Sequence, residues 1–130
     1  MDDKKFQVLV NDSNMMERAY ENMNIENMDG EKWVNLGCLG YPKYEVSNYG
    51  RIKSLSSNGK KDSIRKQTLK NGYLYIGLSN NETKTRKTYV LHRLVAQIFL
   101  GENNNTVQHL DGDKMNNRLD NLTYSKKNTK

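Results

Sequence analysis

Short apolar runs separated by turn residues occupy the middle of this chain, and they constrain its fold more than any other feature. Residues 44–47 and 51–55 alternate polar and apolar side chains on either side of a turn at residues 48–50. Residues 73–78 and 84–91 form a second pair around a polar turn. Alternation with a period of two is typical of half-buried strands, and Asn and Gly accept the backbone angles of tight turns. The sequence therefore predicts small antiparallel β-hairpins.

One short helix is predicted after the second hairpin. Its apolar residues recur at three- and four-residue spacing, namely Leu94, Val95, Ile98 and Phe99, and Gly101 is expected to end it. Helix and hairpins together indicate the α+β class. The chain has 130 residues, 35% of them hydrophobic, and a mean hydropathy of −0.96. These values predict one compact domain with a thin core, plus an extension.

Charge divides the chain into two parts. Residues 1–31 hold eight acidic and three basic residues, a net charge of −5, whereas residues 32–130 carry +11. A positive charge of that size suits a polyanion, because each phosphate that is neutralised releases counterions. The second part is therefore expected to bind nucleic acid, and a basic surface that is merely solvated is the alternative.

Residues 1–31 are predicted to be an acidic N-terminal extension with one helix. Capping residues at positions 11–13 precede Met16, Ala19, Tyr20 and Met23, which recur at helical spacing. Three roles are open for this segment: an autoinhibitory arm that covers the basic face, an interface for a host protein, or internal packing of its methionines.

A single cysteine, Cys38, excludes an internal disulfide framework and a cysteine-based zinc site within one chain. Since its neighbours are apolar, we expect a buried, inert thiol. No apolar run approaches the roughly 20 residues that span a membrane, and the N-terminus has no signal-peptide pattern. The cytoplasm of a bacterium or of an infected host cell is the expected location.

The most informative stretch is residues 106–122. A short strand is predicted to end at His109, a turn follows, and a loop rich in Asn and Asp leads to a second extended piece at Asn121. Asn121 follows His109 by twelve positions, a spacing that allows the loop to fold back. The Asn121 side chain is then expected beside the backbone of His109.

This stretch resembles the motif of the HNH endonucleases, in the form found in phage and intron-encoded homing endonucleases. Residues 90–96, Val-Leu-His-Arg-Leu-Val-Ala, are similar to the helix that precedes the motif in those proteins. Upstream, Trp33 and residues 40–52 resemble the nuclease-associated modular DNA-binding motif. The resemblance implies a ββα-metal motif at about residues 90–130, preceded by a small β motif, within a main domain over residues 32–130.

The resemblance also assigns roles to residues. His109 matches the general base, Asn121 matches the central Asn that ties the loop and holds the histidine, and the substrate would be double-stranded DNA. The implied cofactor is a divalent cation, usually Mg²⁺. His92, at the start of the helix, is expected to be structural or auxiliary. Asp111 and Asp113 are interpreted as turn formers, with metal ligation as the alternative.

Two positions depart from the catalytic members of the family. Gln108 stands where those members often have Asp, and Asn128 is the remaining candidate for the last metal ligand. Magnesium prefers carboxylates to a neutral amide. A site built on Gln108 and Asn128 is therefore weak, completed in another way, or inactive.

Two functions follow from these observations. One is a metal-dependent DNA endonuclease, and the other is a non-catalytic phage-type protein that regulates through DNA or inhibits a host protein. An RNA-binding module is less favoured, because the aromatic stacking motifs of RNA-binding sheets are missing from the sequence. In either function DNA contacts are predicted from cations on and near the hairpins: Arg51, Lys53, Lys84, Arg86, Lys87 and Arg93.

Overall fold

The structure is a computed structural model that describes residues 18–56, 61–80 and 82–126. The predicted N-terminal helix lies outside the described residues up to residue 17, as does Asn128. Its described residues form a 3-10 turn at Ala19–Glu21 and continue without α-helix. None of the helices formed by the described residues has the length and apolar character needed to cross a bilayer.

Three small antiparallel sheets and one α-helix make up the part of the fold that the structure describes. The first sheet has the order β1-β2-β3-β4, the second has the order β5-β6-β7, and β8 pairs with β9 in the third. The helix, α1, spans Leu91–Leu100 and follows β7 without a gap. The strands are β1 Trp33–Leu36, β2 Tyr41–Ser47, β3 Ile52–Ser54, β4 Ser63–Ile64, β5 Thr68–Lys70, β6 Tyr73–Asn80, β7 Thr85–Val90, β8 Val107–His109 and β9 Leu122–Tyr124.

The core is one apolar cluster that α1 shares with all three sheets. Leu94 and Val95 of the helix are 1% and 0% exposed. They belong to the same cluster as buried residues of β2, β6, β8 and β9. Alternate residues of β6, namely Leu74, Ile76 and Leu78, are buried, as the period of two predicts. Because α1 packs against both β8 and β9, it fixes the small third sheet on the rest of the domain.

A buried arginine fastens the described end of the acidic segment to the first sheet. Arg51 is 0% exposed, and its guanidinium donates two hydrogen bonds to the Glu31 carboxylate, at 2.6 and 2.9 Å. Its remaining N–H groups donate to the carbonyls of Asn22, Asn24 and Glu26 at 2.8–3.0 Å. All five donors of the side chain are therefore used within the protein.

The prediction that Arg51 contacts DNA is wrong, because its side chain is buried and fully bonded. Burial alone would raise the pKa of its partner Glu31, but hydrogen bonds from Arg51 and from the Met28 N–H, with the charge of Arg51, lower it. The prediction for Cys38 is also wrong, since this thiol is exposed on a 3-10 turn.

Replacing Arg51 with Met should lower the free energy of unfolding by about 3–5 kcal/mol, because Glu31 keeps a buried charge without a partner. Urea unfolding followed by circular dichroism measures this change. Lys66→Met is the matched control, since Lys66 is exposed, and it should change the stability by less than about 0.5 kcal/mol. Equal stability of the two variants would contradict the role assigned to Arg51.

Candidate active site

The loop between β8 and β9 closes on itself. His109, the last residue of β8, lies opposite Leu122, the first residue of β9. The Leu110 N–H donates to the Asn121 carbonyl at 2.8 Å, so both ends of the loop are held by backbone hydrogen bonds. This geometry agrees with the closure that the twelve-residue spacing predicted.

The side chain of Asn121 ties the interior of this loop. Its Oδ1 accepts a hydrogen bond from the Asp111 N–H at 3.0 Å. Its Nδ2 donates to Asp111 Oδ1 and to the Asn116 carbonyl, both at 2.9 Å. The residue is 7% exposed. Asn121 therefore holds the loop that follows His109, and both polar atoms of its amide are hydrogen-bonded within that loop.

A second asparagine, Asn117, holds the ring of His109. Asn117 is 4% exposed, and its Oδ1 lies 2.7 Å from His109 Nε2. An amide oxygen only accepts, so this contact is a hydrogen bond in the tautomer that carries its proton on Nε2, and that tautomer has its lone pair on Nδ1. Sequence reasoning missed Asn117, because nothing in the run Asn116-Asn117-Arg118 distinguishes the residue that reaches the histidine.

The turn between β2 and β3 contacts the loop at residues 117–119. The Leu119 N–H donates to the Asn48 carbonyl at 2.7 Å, and the Arg118 guanidinium lies 4.0 Å from the centre of the Tyr49 ring. Gly50 has φ +84°, and a Cβ at this position would lie 2.9 Å from the Asn117 carbonyl oxygen. A glycine is required there both for the backbone angle and for the close approach.

His92 packs against His109 from the start of α1. The two ring centres are 5.1 Å apart in an edge-on arrangement, and the Tyr73 ring lies 5.2 Å from His92 on another side. Burial, followed by the charges of His109 and Arg93, lowers the pKa of His92 to about 4. His92 is therefore a neutral packing partner at pH 7, a geometry that favours the predicted structural role over direct chemistry.

The His109 ring borders an open groove of about 480 Å³. Gln108 and Lys114 also line it, together with Tyr73, Val107, Leu110 and Gly112. A pocket of about 520 Å³ lies near another part of the loop, where Asn117 and residues of the N-terminal segment line it, but His109 does not. A molecule that reaches His109 therefore has to enter the smaller groove.

The carboxylates nearest to the site form the loop itself. Asp111 accepts hydrogen bonds from Asp113, Asn116 and Asn121 at 2.8–2.9 Å, and the bonds from Asn116 and Asp113 are the main reason that its pKa is lowered. Asp113 accepts from the Met115 N–H and pairs with Arg18 at 2.7 Å. These contacts favour turn formation, the first of the two interpretations of these residues.

The described residues do not by themselves fit a magnesium ion. No group of three His, Cys, Asp or Glu side chains within residues 18–56, 61–80 and 82–126 is placed to hold a metal. The exposed amide of Gln108 lines the groove beside His109, and the other predicted ligand, Asn128, lies outside the described part. One neutral amide and one imidazole are a poor donor set for a hard cation.

The cations predicted to contact DNA differ in their surroundings. Lys53 stacks on the Trp33 ring at 4.1 Å and lies 3.8 Å from Glu45. Arg93 donates to the backbone carbonyls of Asn103 and Asn105. The exposed cations of the β6–β7 hairpin are Lys84, Arg86 and Lys87. These three are the best placed to meet a phosphate backbone.

Comparison with known proteins decides the family. Residues 31–79 match the NUMOD4 motif, and residues 89–129 match the HNH endonuclease family. The chain belongs to the HNH endonuclease family. The family predicted from the two motifs is therefore confirmed. The stretch between the two matches, residues 80–88, contains the end of β6 and most of β7. The NUMOD4 part therefore supplies the turn at residues 48–50, and the HNH part supplies the loop that this turn contacts.

Relatives in a giant virus and one solved structure agree with this assignment. Two uncharacterized HNH endonucleases of Acanthamoeba polyphaga mimivirus are 41% and 34% identical over 96 and 98 residues, each match covering 72% of this chain. The HNH homing endonuclease I-HmuI, solved for its DNA binding and cleavage, is 37% identical with a TM-score of 0.59 over 72% of this chain. The predicted α+β fold is thus confirmed as that of an HNH homing endonuclease.

The matches cover only parts of these proteins. The aligned region is 27% and 23% of the length of the two viral relatives and 52% of the I-HmuI chain.

Replacing the buried Asn121 with Ala should lower the free energy of unfolding by about 1–3 kcal/mol, because the part-buried N–H of Asp111 and carbonyl of Asn116 lose their partners. Chemical denaturation measures the change. Asn104→Ala is the matched control, because Asn104 is an exposed asparagine in the preceding loop. Two variants of equal stability would show that the loop does not depend on the Asn121 amide.

The low pKa of His92 predicts a loss of stability in acid. Above about pH 6.5 the ring is neutral in both the folded and unfolded states, and His92 adds no pH dependence. Between pH 6.5 and about 4 the unfolded chain takes up a proton at His92 that the folded chain does not, so the free energy of unfolding falls. His92→Phe should show a shallower fall in urea titrations at pH 7, 5.5 and 4.5. Parallel curves would contradict this assignment.

Proposed function

We propose that this domain hydrolyses phosphodiester bonds of double-stranded DNA, with His109 as general base and a divalent cation as cofactor. The observation that carries the proposal is the fixed imidazole at the groove: Asn117 binds one ring nitrogen at 2.7 Å, which leaves the other for a substrate water. A general base needs such a free lone pair within reach of the proton that it removes.

The chain's own residues account for one proton transfer. Nδ1 of His109 takes a proton from a water molecule while the oxygen of that water bonds to phosphorus. The bond from phosphorus to one sugar oxygen breaks in the same step. That sugar oxygen then receives a proton from solvent. Burial holds the pKa of His92 at about 4, so the ring packed against His109 is uncharged near pH 7 and adds no positive charge to the site.

Duplex DNA as the substrate is supported by charge and by the family. The exposed cations of the β6–β7 hairpin lie on a part of the chain with a net charge of +11. A phosphate backbone is the natural partner of such a surface. I-HmuI, which shares the fold, is a DNA-binding and DNA-cleaving protein.

The cofactor stays a prediction. The family implies a divalent cation, expected to be Mg²⁺, with Gln108 and Asn128 as the candidate ligands in this chain. Since the described donors do not complete a site, the requirement for an ion has to be measured.

A second candidate is a DNA-binding regulator, or an inhibitor of a host protein, without nuclease activity. One observation favours it: within the described part of the chain no cluster of carboxylates faces the His109 groove. Magnesium-dependent hydrolysis normally relies on such oxygen ligands.

Cleavage of a supercoiled plasmid separates the two candidates. The wild-type chain should nick or linearise the plasmid with Mg²⁺ or Mn²⁺ and should lose this activity in EDTA. His109→Ala should slow cleavage about 10²- to 10⁴-fold, because the general base is gone, while its DNA affinity in a gel-shift assay stays the same. Asn104→Ala should match the wild type in both measurements.

Different outcomes would overturn different parts of the proposal. Equal cleavage by wild type and His109→Ala would exclude His109 as the base. If the wild type binds DNA but does not cleave it with either ion, the regulator is supported and the nuclease is rejected. Full activity in EDTA would contradict only the requirement for a divalent cation.

A further inference from the structure

Lys114 places an ammonium group at the groove that contains His109. It belongs to the same loop, and both residues line the groove. Its Nζ lies 4.9 Å from the centre of the Tyr73 ring, and its Cδ would be 3.7 Å from a Cβ at Gly72. The aliphatic stem thus packs over the turn between β5 and β6, where Gly72 has no side chain to displace it. A side chain supported at two points is restrained in position even though its end is exposed.

Tyr73 connects this ammonium to the histidine pair. One neighbour of its ring is Lys114, and another is His92 at 5.2 Å, which in turn packs on His109 at 5.1 Å. Lys114, Tyr73, His92 and His109 therefore form one continuous row of contacts. The face of an aromatic ring attracts a cation without neutralising its charge.

The charge of Lys114 is not matched by a carboxylate within the described residues. No Asp or Glu among them lies within 4.0 Å of its Nζ. The neighbouring acids are engaged elsewhere, because Asp113 pairs with Arg18 and Asp111 accepts three hydrogen bonds from its own loop. The positive charge is therefore available to an anion that enters the groove.

We propose that Lys114 is a catalytic residue that binds a non-bridging oxygen of the scissile phosphate, beside the water activated by His109. This inference rests on the proposed nuclease function. Negative charge is spread over the phosphoryl oxygens in the transition state, and a positioned cation stabilises it. Gln108 contributes no charge at the same groove, so Lys114 provides the positive charge that the described residues otherwise lack there.

Lys87 allows a contact that affects DNA affinity to be compared with one that affects the reaction rate. It is also a lysine over a tyrosine, with its Nζ 5.3 Å from the centre of the Tyr89 ring, but it lies on the β6–β7 hairpin. A general phosphate contact there affects DNA affinity, whereas a contact to the reacting phosphate affects the rate of the bound complex.

The experiment is single-turnover cleavage of a short duplex that contains a cut site mapped on the plasmid, with the full-length protein in saturating excess. Lys114→Met keeps the aliphatic stem and should slow cleavage about 10²- to 10³-fold. Lys114→Arg should recover at least about tenfold of that loss, because it restores the charge. Lys87→Met should weaken DNA binding. Lys66→Met, at an exposed lysine that does not line the groove, should leave the saturated rate unchanged. Thermal unfolding confirms that each variant is folded.

A phosphorothioate at the cut site tests the atomic contact. Sulfur in place of one non-bridging oxygen should slow the wild type more in one stereoisomer than in the other. Lys114→Met should lose this difference, because the contact is already absent. The role of Lys114 would be overturned if Lys114→Met cleaved as fast as the wild type at saturation, or if its stereoisomer difference were unchanged. In both cases cleavage by the wild type would still support the nuclease function. A wild type that binds DNA without cutting it would overturn both.

Discussion

The hydrogen bond from the Leu119 N–H to the Asn48 carbonyl, with the close contact of Gly50 on Asn117, joins the two sequence motifs of this protein. It is the constraint on which the site depends, because Asn117 in turn fixes the ring of His109. The β8–β9 sheet has only three residues in each strand. A sheet that small cannot hold a side chain in one orientation alone, so the NUMOD4 turn supplies the rigidity.

Arg51 extends this support toward the N-terminus. It follows the gripping turn directly, and its guanidinium collects Glu31 and three backbone carbonyls around itself. The Tyr49 hydroxyl also donates to the Asp29 carbonyl. Residues 22–31 are thereby tied to the same turn that contacts the β8–β9 loop. An ion pair buried to this degree contributes little net energy, but the loss of either partner is costly, which favours one arrangement of the chain.

Local patterns were sufficient to predict the hairpins, the helix and the closure of the loop, because each depends on residues close together in sequence. The alternation in β6 and the apolar face of α1 are examples. The environments of Arg51, Asn117 and Cys38 could not be predicted in this way. Arg51 follows a turn and has the alternation of an exposed strand residue, yet its partners lie 20–29 residues upstream. Asn117 depends on contact with Gly50, and no periodicity encodes such long-range partners.

The contact between the turn and the loop also constrains which sequences can be combined in one chain. Gly50 leaves no room for a side chain against Asn117, and Arg118 rests on the Tyr49 ring. A chimera that took its upstream hairpins from one protein and its histidine loop from another would have to keep both sides of this contact. The two modules are therefore recognisable as separate motifs, but their shared surface makes them structurally interdependent.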